Sequence, residues 1–250
     1  MSNRDTWHPQ WADVLTSVAL LSRLPVRIDV SRATARGGSQ CWAYSVAGLI
    51  VGAIASGVAW IGMTVQLPPL TIGFTIIAAT AFVTGAMHYD GMADFLDGLW
   101  GGWTPAQRLD IMKDSHIGVY GAVGLVCLLG LQASLYEQLI SQSLWPIIGI
   151  MAISRAVMVP VMTWLPNSRA SGLSAQVGRP SISTAVLALG LGSVVALLTG
   201  AWPAILGAAL AAFAVGVIAK RKIGGQTGDV LGATQQLAEV IALICVITIA

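Results

Sequence analysis

The sequence predicts an all-α, polytopic integral membrane protein with about seven transmembrane helices. Of its 250 residues, 56% are hydrophobic and only 10% are charged, whereas soluble domains carry about 25% charged residues. The apolar stretches are near the ~20 residues that a helix needs to cross a bilayer, and they do not alternate as barrel strands do. Because lipid offers the backbone no hydrogen-bond partners, helices are the expected structure. We predict one transmembrane domain over residues 1–250.

Apolar stretches of spanning length follow one another along the chain. They cover residues 43–64, 69–87, 117–135, 144–164, 182–199, 203–219 and 231–250. An earlier segment, Trp11 to Leu21, carries Asp13 and ends at Arg23-Leu-Pro25. This pattern predicts a short interfacial or re-entrant helix. Since Asp13 lies outside the acidic loop described below, we expect Asp13→Asn to have only a mild effect on activity.

The positions of Lys and Arg predict the topology, because these residues accumulate in cytoplasmic loops. With the N-terminus inside and the C-terminus outside, the outward loops contain no cation. The cytoplasmic segments then hold Arg4, Arg23, Arg27, Arg32, Arg36, Arg108, Lys113, Arg169, Arg179, Lys220, Arg221 and Lys222.

Two charges remain inside predicted spans, Arg155 in the fourth and Glu239 in the last. Unpaired charges at membrane depth are energetically expensive. We therefore predict that Arg155 and Glu239 face the bundle interior and pair, either directly or through Gln235, which lies one helical turn from Glu239.

The most informative stretch begins at His88, after the second apolar stretch. Asp90, Asp94 and Asp97 are spaced i, i+4, i+7, so they share one face of a helix continuing from that span. Three like charges on one face need an offset, which a hard divalent cation bound by carboxylate oxygens supplies. A solvated acidic loop is the alternative, although acids at membrane depth are usually functional. We predict a cytoplasmic active-site loop at about residues 88–116.

A second helix is predicted at Thr104-Pro-Ala-Gln107, which has the pattern of a capping box with Pro at the first helical position. Asp110 and Asp114 then lie one turn apart on one face. The polar residues that this helix is expected to carry are Arg108, Asp110, Lys113, Asp114 and His116. Three glycines precede it and would let backbone approach a ligand such as phosphate: Gly98, Gly101 and Gly102.

A second glycine-rich turn runs from Gly224 to Gly232 and contains one acid, Asp229. On the predicted topology it lies on the same side of the membrane as the acidic loop, so it is a candidate to close over a nucleotide. A flexible turn that begins the last span explains its glycines equally well.

The order Asp94-x-x-Asp97-Gly98, then Asp110-x-x-x-Asp114, resembles the two-metal signature of the CDP-alcohol phosphotransferases. These enzymes exchange one phosphodiester for another within the membrane. The match is partial, because the second pair of aspartates lies closer to the first and Ala106 stands where that signature has a glycine. This resemblance supports a reaction type and not membership of that family.

Five blocks spread over nearly the whole chain resemble the cobalamin synthase family, the adenosylcobinamide-GDP ribazoletransferases. The blocks are Arg23-Leu-Pro25, His88-x-Asp90-Gly91-x-Ala93-Asp94-x-x-Asp97-Gly98, Ile111-Met-Lys113-Asp114-Ser-x-Ile-Gly118-x-Tyr120-Gly121, Ser154-Arg155 and Gly224-Gly-x-Thr227-Gly228-Asp229-x-Leu-Gly232-Ala233. The resemblance implies a Mg²⁺-dependent transfer. In it, the 3′ hydroxyl of α-ribazole, or of its 5′-phosphate, displaces GMP from adenosylcobinamide-GDP and forms adenosylcobalamin or its 5′-phosphate.

Phosphoryl-type transfer needs mainly positioning and charge neutralisation, which paired metals provide. We therefore assign Asp94, Asp97 and Asp110 as metal ligands, Asp114 as a ligand or the base that receives the hydroxyl proton, and Asp90 as a ligand or its support. The further candidates are basic or line the glycine turns. His88 and His116 would orient carboxylates or contact phosphate, or serve only as structural hydrogen-bonders. Arg108 and Lys113 would contact phosphate or only balance the acids. The glycines Gly98, Gly101 and Gly102, with Thr227 and Asp229, complete the candidate substrate site.

Other classes of function predict different features. A transporter would explain the intramembrane charges, but the acids concentrate in one lobe and no inverted repeat is evident. A structural subunit would not need clustered carboxylates. With a net charge of +2 and no dense basic patch, we expect no nucleic-acid partner. The expected location is the cell inner membrane, with the active site facing the cytoplasm and a homo-oligomer allowed.

Overall fold

The structure is a computed structural model that describes residues 8–249, so Arg4 of the predicted cytoplasmic cations lies outside the described residues. Within this range the chain forms helices and no β-strand, apart from one isolated bridge between Asn167 and Gln226. The all-α prediction is confirmed. The helices are α1 (Trp11–Leu21), α2 (Val30–Arg36), a 3-10 helix (Gly37–Ala43), α3 (Tyr44–Thr64), α4 (Pro69–Thr84), α5 (Met87–Gly101), α6 (Pro105–Ile111), α7 (Val119–Ile140), α8 (Trp145–Ala156), α9 (Met158–Trp164), α10 (Leu173–Val177), α11 (Ile182–Leu198), α12 (Pro203–Ile223) and α13 (Gly228–Ile249).

Each predicted span corresponds to a helix, with α8 and α9 together forming the fourth. Five segments in the described part of the chain are long and apolar enough to cross a membrane, and α4 joined to α5 is a sixth if that bent pair is one span. Helix α11 is apolar but has only 17 residues. The structure therefore supports a multi-pass helical membrane protein, and the count of seven crossings with N-in, C-out orientation stays a prediction.

The bundle is built around α8, which packs against α3, α11 and α13. Small residues allow these helices to approach closely, as is usual in membrane bundles. A Cβ on Gly52 would lie 2.7 Å from the Cα of Ile148 in α8. On the other side of α8, a Cβ on Gly149 would lie 2.8 Å from the Cα of Ala196 in α11. The tight core places the polar groups of α8 in the middle of the bundle.

The chain bends by 95° between α4 and α5. Gly85 (φ 64°) and Ala86 (φ 56°) both adopt the left-handed conformation, which ends α4 in the manner of a glycine C-cap. The prediction that α5 continues straight from the second span is therefore wrong. Instead α5 lies across the N-terminal ends of α7 and α13, where Gly91 contacts Asp229 and Gly121 contacts Asp97. Helix α5 thus runs across the starts of two other helices and is not in line with α4.

Helix α6 begins with the predicted capping box. The Thr104 hydroxyl accepts the backbone N–H of Gln107, and the Gln107 side-chain oxygen accepts the backbone N–H of Thr104. It ends at Ile111, however, so the prediction that it carries Asp114 and His116 is wrong. The reason is local: the Asp114 carboxylate accepts the backbone N–H of His116 at 3.1 Å, and such side-chain bonds compete with helix continuation.

Candidate active site

Three carboxylates lie close enough to interact electrostatically where α5 crosses the start of α13, and we call Asp90, Asp94 and Asp229 the acidic cluster. Gly91 and Gly232 make this crossing possible. A Cβ on Gly91 would lie 3.1 Å from the Cα of Asp229, and a Cβ on Gly232 would lie 3.1 Å from the Cα of Gly91. Two residues that are 139 positions apart in sequence, Asp90 and Asp229, are therefore brought together by backbone contact.

The three carboxylates of the acidic cluster lie near one cation, Arg169, so negative charge is in excess. Burial raises the pKa of the half-buried Asp94 to about 7, and neighbouring carboxylates add to the rise: Asp229, Asp90 and Asp97. Arg169 opposes it. Because like charges disfavour ionisation, a bound cation would stabilise this arrangement.

Arg169 joins the cluster to α6. Its Nη1 donates to Oδ2 of Asp229 at 3.1 Å and its Nη2 donates to the carbonyl of Leu109 at 2.9 Å. The Thr227 hydroxyl donates to the same Asp229 oxygen at 3.1 Å. Sequence reasoning did not assign Arg169 a role. The available signal was one of two arginines, Arg169 and Arg179, in the small-residue loop between the fourth and fifth predicted spans.

Asp97 lies one turn beyond Asp94 but has different partners. Its carboxylate is 6% exposed and accepts the backbone N–H groups of Gly118 at 2.8 Å and Gly121 at 2.9 Å. These are N–H groups at the start of α7 that have no partner within that helix. Glycine is needed at both positions because a Cβ on either would collide with this carboxylate. Asp97 therefore caps α7 from α5.

The second predicted acidic pair is exposed. Asp110 lies on the solvent side of α6. The Asp114 carboxylate, 58% exposed, contacts the ring of His116 at 2.7 Å, and this contact lowers the pKa of Asp114. Lys113 is exposed as well. The predicted orienting role of His116 thus has a matching contact, while the catalytic roles of Asp110, Asp114 and Lys113 stay predictions.

The glycines between α5 and α6 pack the two helices together. A Cβ on Gly98 would lie 2.9 Å from the carbonyl oxygen of Arg108, and a Cβ on Gly102 would lie 2.8 Å from its backbone nitrogen. Gly101 is exposed and faces Ile111. The Arg108 guanidinium reaches the carbonyls of Leu99 and Lys222 at 3.5 Å. These contacts give Gly98, Gly102 and Arg108 a packing role, and their predicted ligand contacts stay predictions.

A cavity of ≈ 300 Å³ adjoins the cluster. Polar groups come from α5, the start of α13 and the loop before α10, including Asp90, Arg169 and Asp229. Helices α1, α3 and α9 supply apolar side chains. His88 lines the cavity, is 2% exposed and has no hydrogen-bond partner at either ring nitrogen within residues 8–249. It therefore orients no carboxylate in this arrangement.

The fit of the site to a divalent cation rests on charge. Oxygen ligands are what Mg²⁺ prefers, and the acidic cluster offers three carboxylates opposed by the Arg169 guanidinium. In the part of the chain that the structure describes, no group of three or more His, Cys, Asp or Glu side chains is arranged to hold a metal ion. The cluster therefore fits a cation in charge and chemistry, and the predicted five-aspartate ligand set is not assembled.

The intramembrane charges are both buried, Arg155 and Glu239 each being 2% exposed, so the prediction that they face the bundle interior is confirmed. The prediction that they pair directly is wrong, because no ion pair within 4.0 Å joins them. Glu239 instead accepts from Tyr136 at 2.8 Å and Gln235 at 2.7 Å. The Arg155 guanidinium donates to the Met151 carbonyl, and no hydrogen bond to Gln235 is among its contacts.

A further carboxylate–cation group lies between α1, the end of α2 and the 3-10 helix. We call Asp13, Arg36 and Trp42 the N-terminal junction. Asp13, 1% exposed, accepts two bonds from Arg36 at 2.8 and 2.6 Å and one from the Trp42 indole at 2.8 Å. Because the carboxylate is buried and bonded, we expect Asp13→Asn to lower stability, while its mild effect on turnover stays a prediction.

Comparison with known proteins gives one family for most of the chain. Residues 13–247 match the model of the cobalamin-5-phosphate synthase family. A curated protein of Sinorhizobium medicae named adenosylcobinamide-GDP ribazoletransferase is 39% identical over 93% of this chain and 95% of its own length. The protein of that name from Brucella anthropi is 36% identical over 92% and 94% of the two chains. No solved structure gives a significant match.

Proposed function

The chain belongs to the cobalamin-5-phosphate synthase family, and from this premise we propose that it transfers the adenosylcobinamide phosphate group of adenosylcobinamide-GDP to α-ribazole or α-ribazole 5′-phosphate. The products are GMP and adenosylcobalamin or its 5′-phosphate, and Mg²⁺ is the required cofactor. The observation that carries the proposal is the acidic cluster, whose carboxylates are opposed by one arginine beside a cavity of ≈ 300 Å³. A reaction that moves a phosphodiester needs this kind of charge at the reacting atoms.

The charged residues of the site have different proposed roles. Asp90, Asp94 and Asp229 would hold Mg²⁺, which supplies positive charge to the phosphoryl oxygens when bound. Arg169 holds the Asp229 carboxylate in place and adds a fork of donors suited to phosphate. Asp110 and Asp114 are retained as proposed contributors, since α6 is tied to Arg169 through the carbonyl of Leu109. Asp114, if it is not a metal ligand, would accept the proton of the attacking hydroxyl.

We propose that the site faces the cytoplasm from the cell inner membrane. Several cations lie at the same end of the bundle as the acidic cluster: Arg169 contacts Asp229, Arg108 reaches Lys222 and Arg179 bonds the carbonyl of Thr163 at the end of α9. Such an excess is typical of the cytoplasmic side. Cysteine labelling from each side of oriented vesicles would test it. Periplasmic labelling at Lys222 would contradict the topology.

The test of the activity uses the purified full-length protein in detergent. GMP should be released only when adenosylcobinamide-GDP, α-ribazole and Mg²⁺ are all present, and EDTA should abolish release. If the protein instead exchanged a CDP-activated alcohol and ignored the corrinoid, a different membrane phosphotransferase activity would replace this proposal. Release of GMP at full rate in EDTA would contradict the metal assignment and leave the transfer itself intact.

A further inference from the structure

The cavity beside the acidic cluster has one unusual component, the buried His88. A buried polar group without a hydrogen-bond partner costs free energy, and native proteins rarely keep one without a function. Both ring nitrogens of His88 lack a partner among the described side chains and backbone groups, and the residue lines the cavity. A ligand in the cavity would give one of these nitrogens a hydrogen-bond partner.

The remaining lining limits what that ligand can be. Tyr44, 3% exposed, and Met158 and Met162, each 1% exposed, form part of the apolar wall. Thioether sulfurs and a phenol ring favour a flat aromatic group. A volume of ≈ 300 Å³ is at the low end of small-molecule sites, about 300–1,000 Å³. It therefore suits a nucleoside and is too small for a corrinoid macrocycle.

We propose that this cavity is the acceptor subsite, in which an apolar benzimidazole base lies against Tyr44 and Met162 while an unsubstituted ring nitrogen of the base accepts a hydrogen bond from His88. This assignment rests on the proposed function, because α-ribazole is the acceptor there. The polar wall of Asp90 and Asp229 would then face the ribose, so that its hydroxyls lie beside the acidic cluster. A purine would bring several polar groups against the apolar wall without partners and is disfavoured.

The decisive measurement is equilibrium binding of α-ribazole to the full-length protein in detergent, without corrinoid and without metal. The wild type should bind it, and His88→Phe should weaken binding at least about tenfold through the lost hydrogen bond. The riboside of unmethylated benzimidazole should bind roughly tenfold more weakly than α-ribazole, since two buried methyl groups are removed.

Two further variants cover the case in which His88→Phe fails to fold. Leu173 lines the cavity and is 48% exposed, so Leu173→Trp should preserve folding and still weaken α-ribazole binding by filling the entrance. Met63→Trp is the matched control, because Met63 is 46% exposed near the opposite end of α3. It should bind α-ribazole as the wild type does.

The results separate this inference from the proposed function. If α-ribazole binds with the expected dependence on His88 but GMP is not released from adenosylcobinamide-GDP, the subsite stands and the proposed function fails. If GMP is released but folded Leu173→Trp and His88→Phe bind α-ribazole like the wild type, the subsite assignment is overturned. It is overturned also if the wild type binds GDP in the cavity, with loss in His88→Phe, and does not bind α-ribazole alone.

Discussion

The acidic cluster and the N-terminal junction both place aspartate beside arginine. The charges are balanced in the N-terminal junction, whereas negative charge is in excess in the acidic cluster. In the N-terminal junction one carboxylate, Asp13, is bonded by Arg36 and the Trp42 indole. In the acidic cluster three carboxylates lie near one guanidinium, and burial together with like charge raises the pKa of Asp94 to about 7. A satisfied carboxylate contributes to stability, whereas carboxylates left in excess lower stability and are typical of a functional site.

Asp97 is a satisfied carboxylate like Asp13, although it is on the same helix as Asp94. Both of its oxygens accept backbone N–H groups at the start of α7. The spacing that puts Asp90, Asp94 and Asp97 on one helical face therefore groups residues whose surroundings differ. Replacing each aspartate by asparagine should distinguish their roles, because turnover and stability should be affected differently at each position.

The largest effect is expected for Asp94→Asn. Removing its charge should lower GMP release by about 10³-fold, a loss of about 4 kcal/mol in transition-state stabilisation, because the site would lose a carboxylate that would hold the charge-neutralising cation. The melting temperature should not fall, since the ionised carboxyl is disfavoured where it stands. Steady-state rates and thermal unfolding of one preparation would test both parts. Near-normal turnover at ordinary Mg²⁺ concentration would remove Asp94 from the metal site.

The next effect is on stability, for Asp13→Asn. The substitution removes one charge of the buried Asp13–Arg36 ion pair, and breaking such a pair typically costs about 3 kcal/mol. Thermal unfolding should show a large decrease in melting temperature, while the folded fraction should keep the wild-type affinity for Mg²⁺. An unchanged melting temperature would mean that the N-terminal junction is not the stabilising counterpart of the acidic cluster.

Asp97→Asn should have an intermediate effect. An amide keeps one acceptor but points its NH₂ group at a backbone N–H, so one bond of the α7 cap is lost at a cost of about 2 kcal/mol. Stability should fall and turnover of the folded protein should persist in part. If stability were unchanged and Mg²⁺ binding were lost, Asp97 would belong with Asp94 as a metal ligand, as the sequence alone suggests.

The smallest effect concerns pH. Since the pKa of Asp94 is raised in the folded protein to about 7 from the usual value of 3.8, its contribution to stability is present at low pH and is lost as pH rises through 7. Mg²⁺ should bind the ionised form of Asp94. The increase in melting temperature on adding Mg²⁺ should therefore grow as the pH rises toward and through 7. At tenfold excess over Kd it should reach roughly 3–5 °C. In Asp94→Asn the increase should not depend on pH in this range, and a pH dependence identical to that of the wild type would assign the titration to another group.

Much of the fold follows from the sequence because its causes are local. The lengths of the apolar stretches predict α3, α4, α7 and the later spans, and Thr104 with Gln107 predicts the start of α6. The 95° turn after α4 was missed, since it depends on Gly85 and Ala86 adopting a left-handed conformation. The end of α6 was missed because the Asp114 side chain competes for the backbone.

The amino-acid sequence by itself determined that this protein is a helical membrane bundle with acidic residues beside glycine turns, since hydrophobic length and residue type act along the chain. Only the tertiary structure decided which carboxylates meet. Asp229 joins Asp90 and Asp94 because Gly91 and Gly232 let α5 and α13 touch, while Asp97 is directed to the start of α7. The ionisation and role of a carboxylate depend on the groups around it in space, and those groups come from helices far apart in sequence.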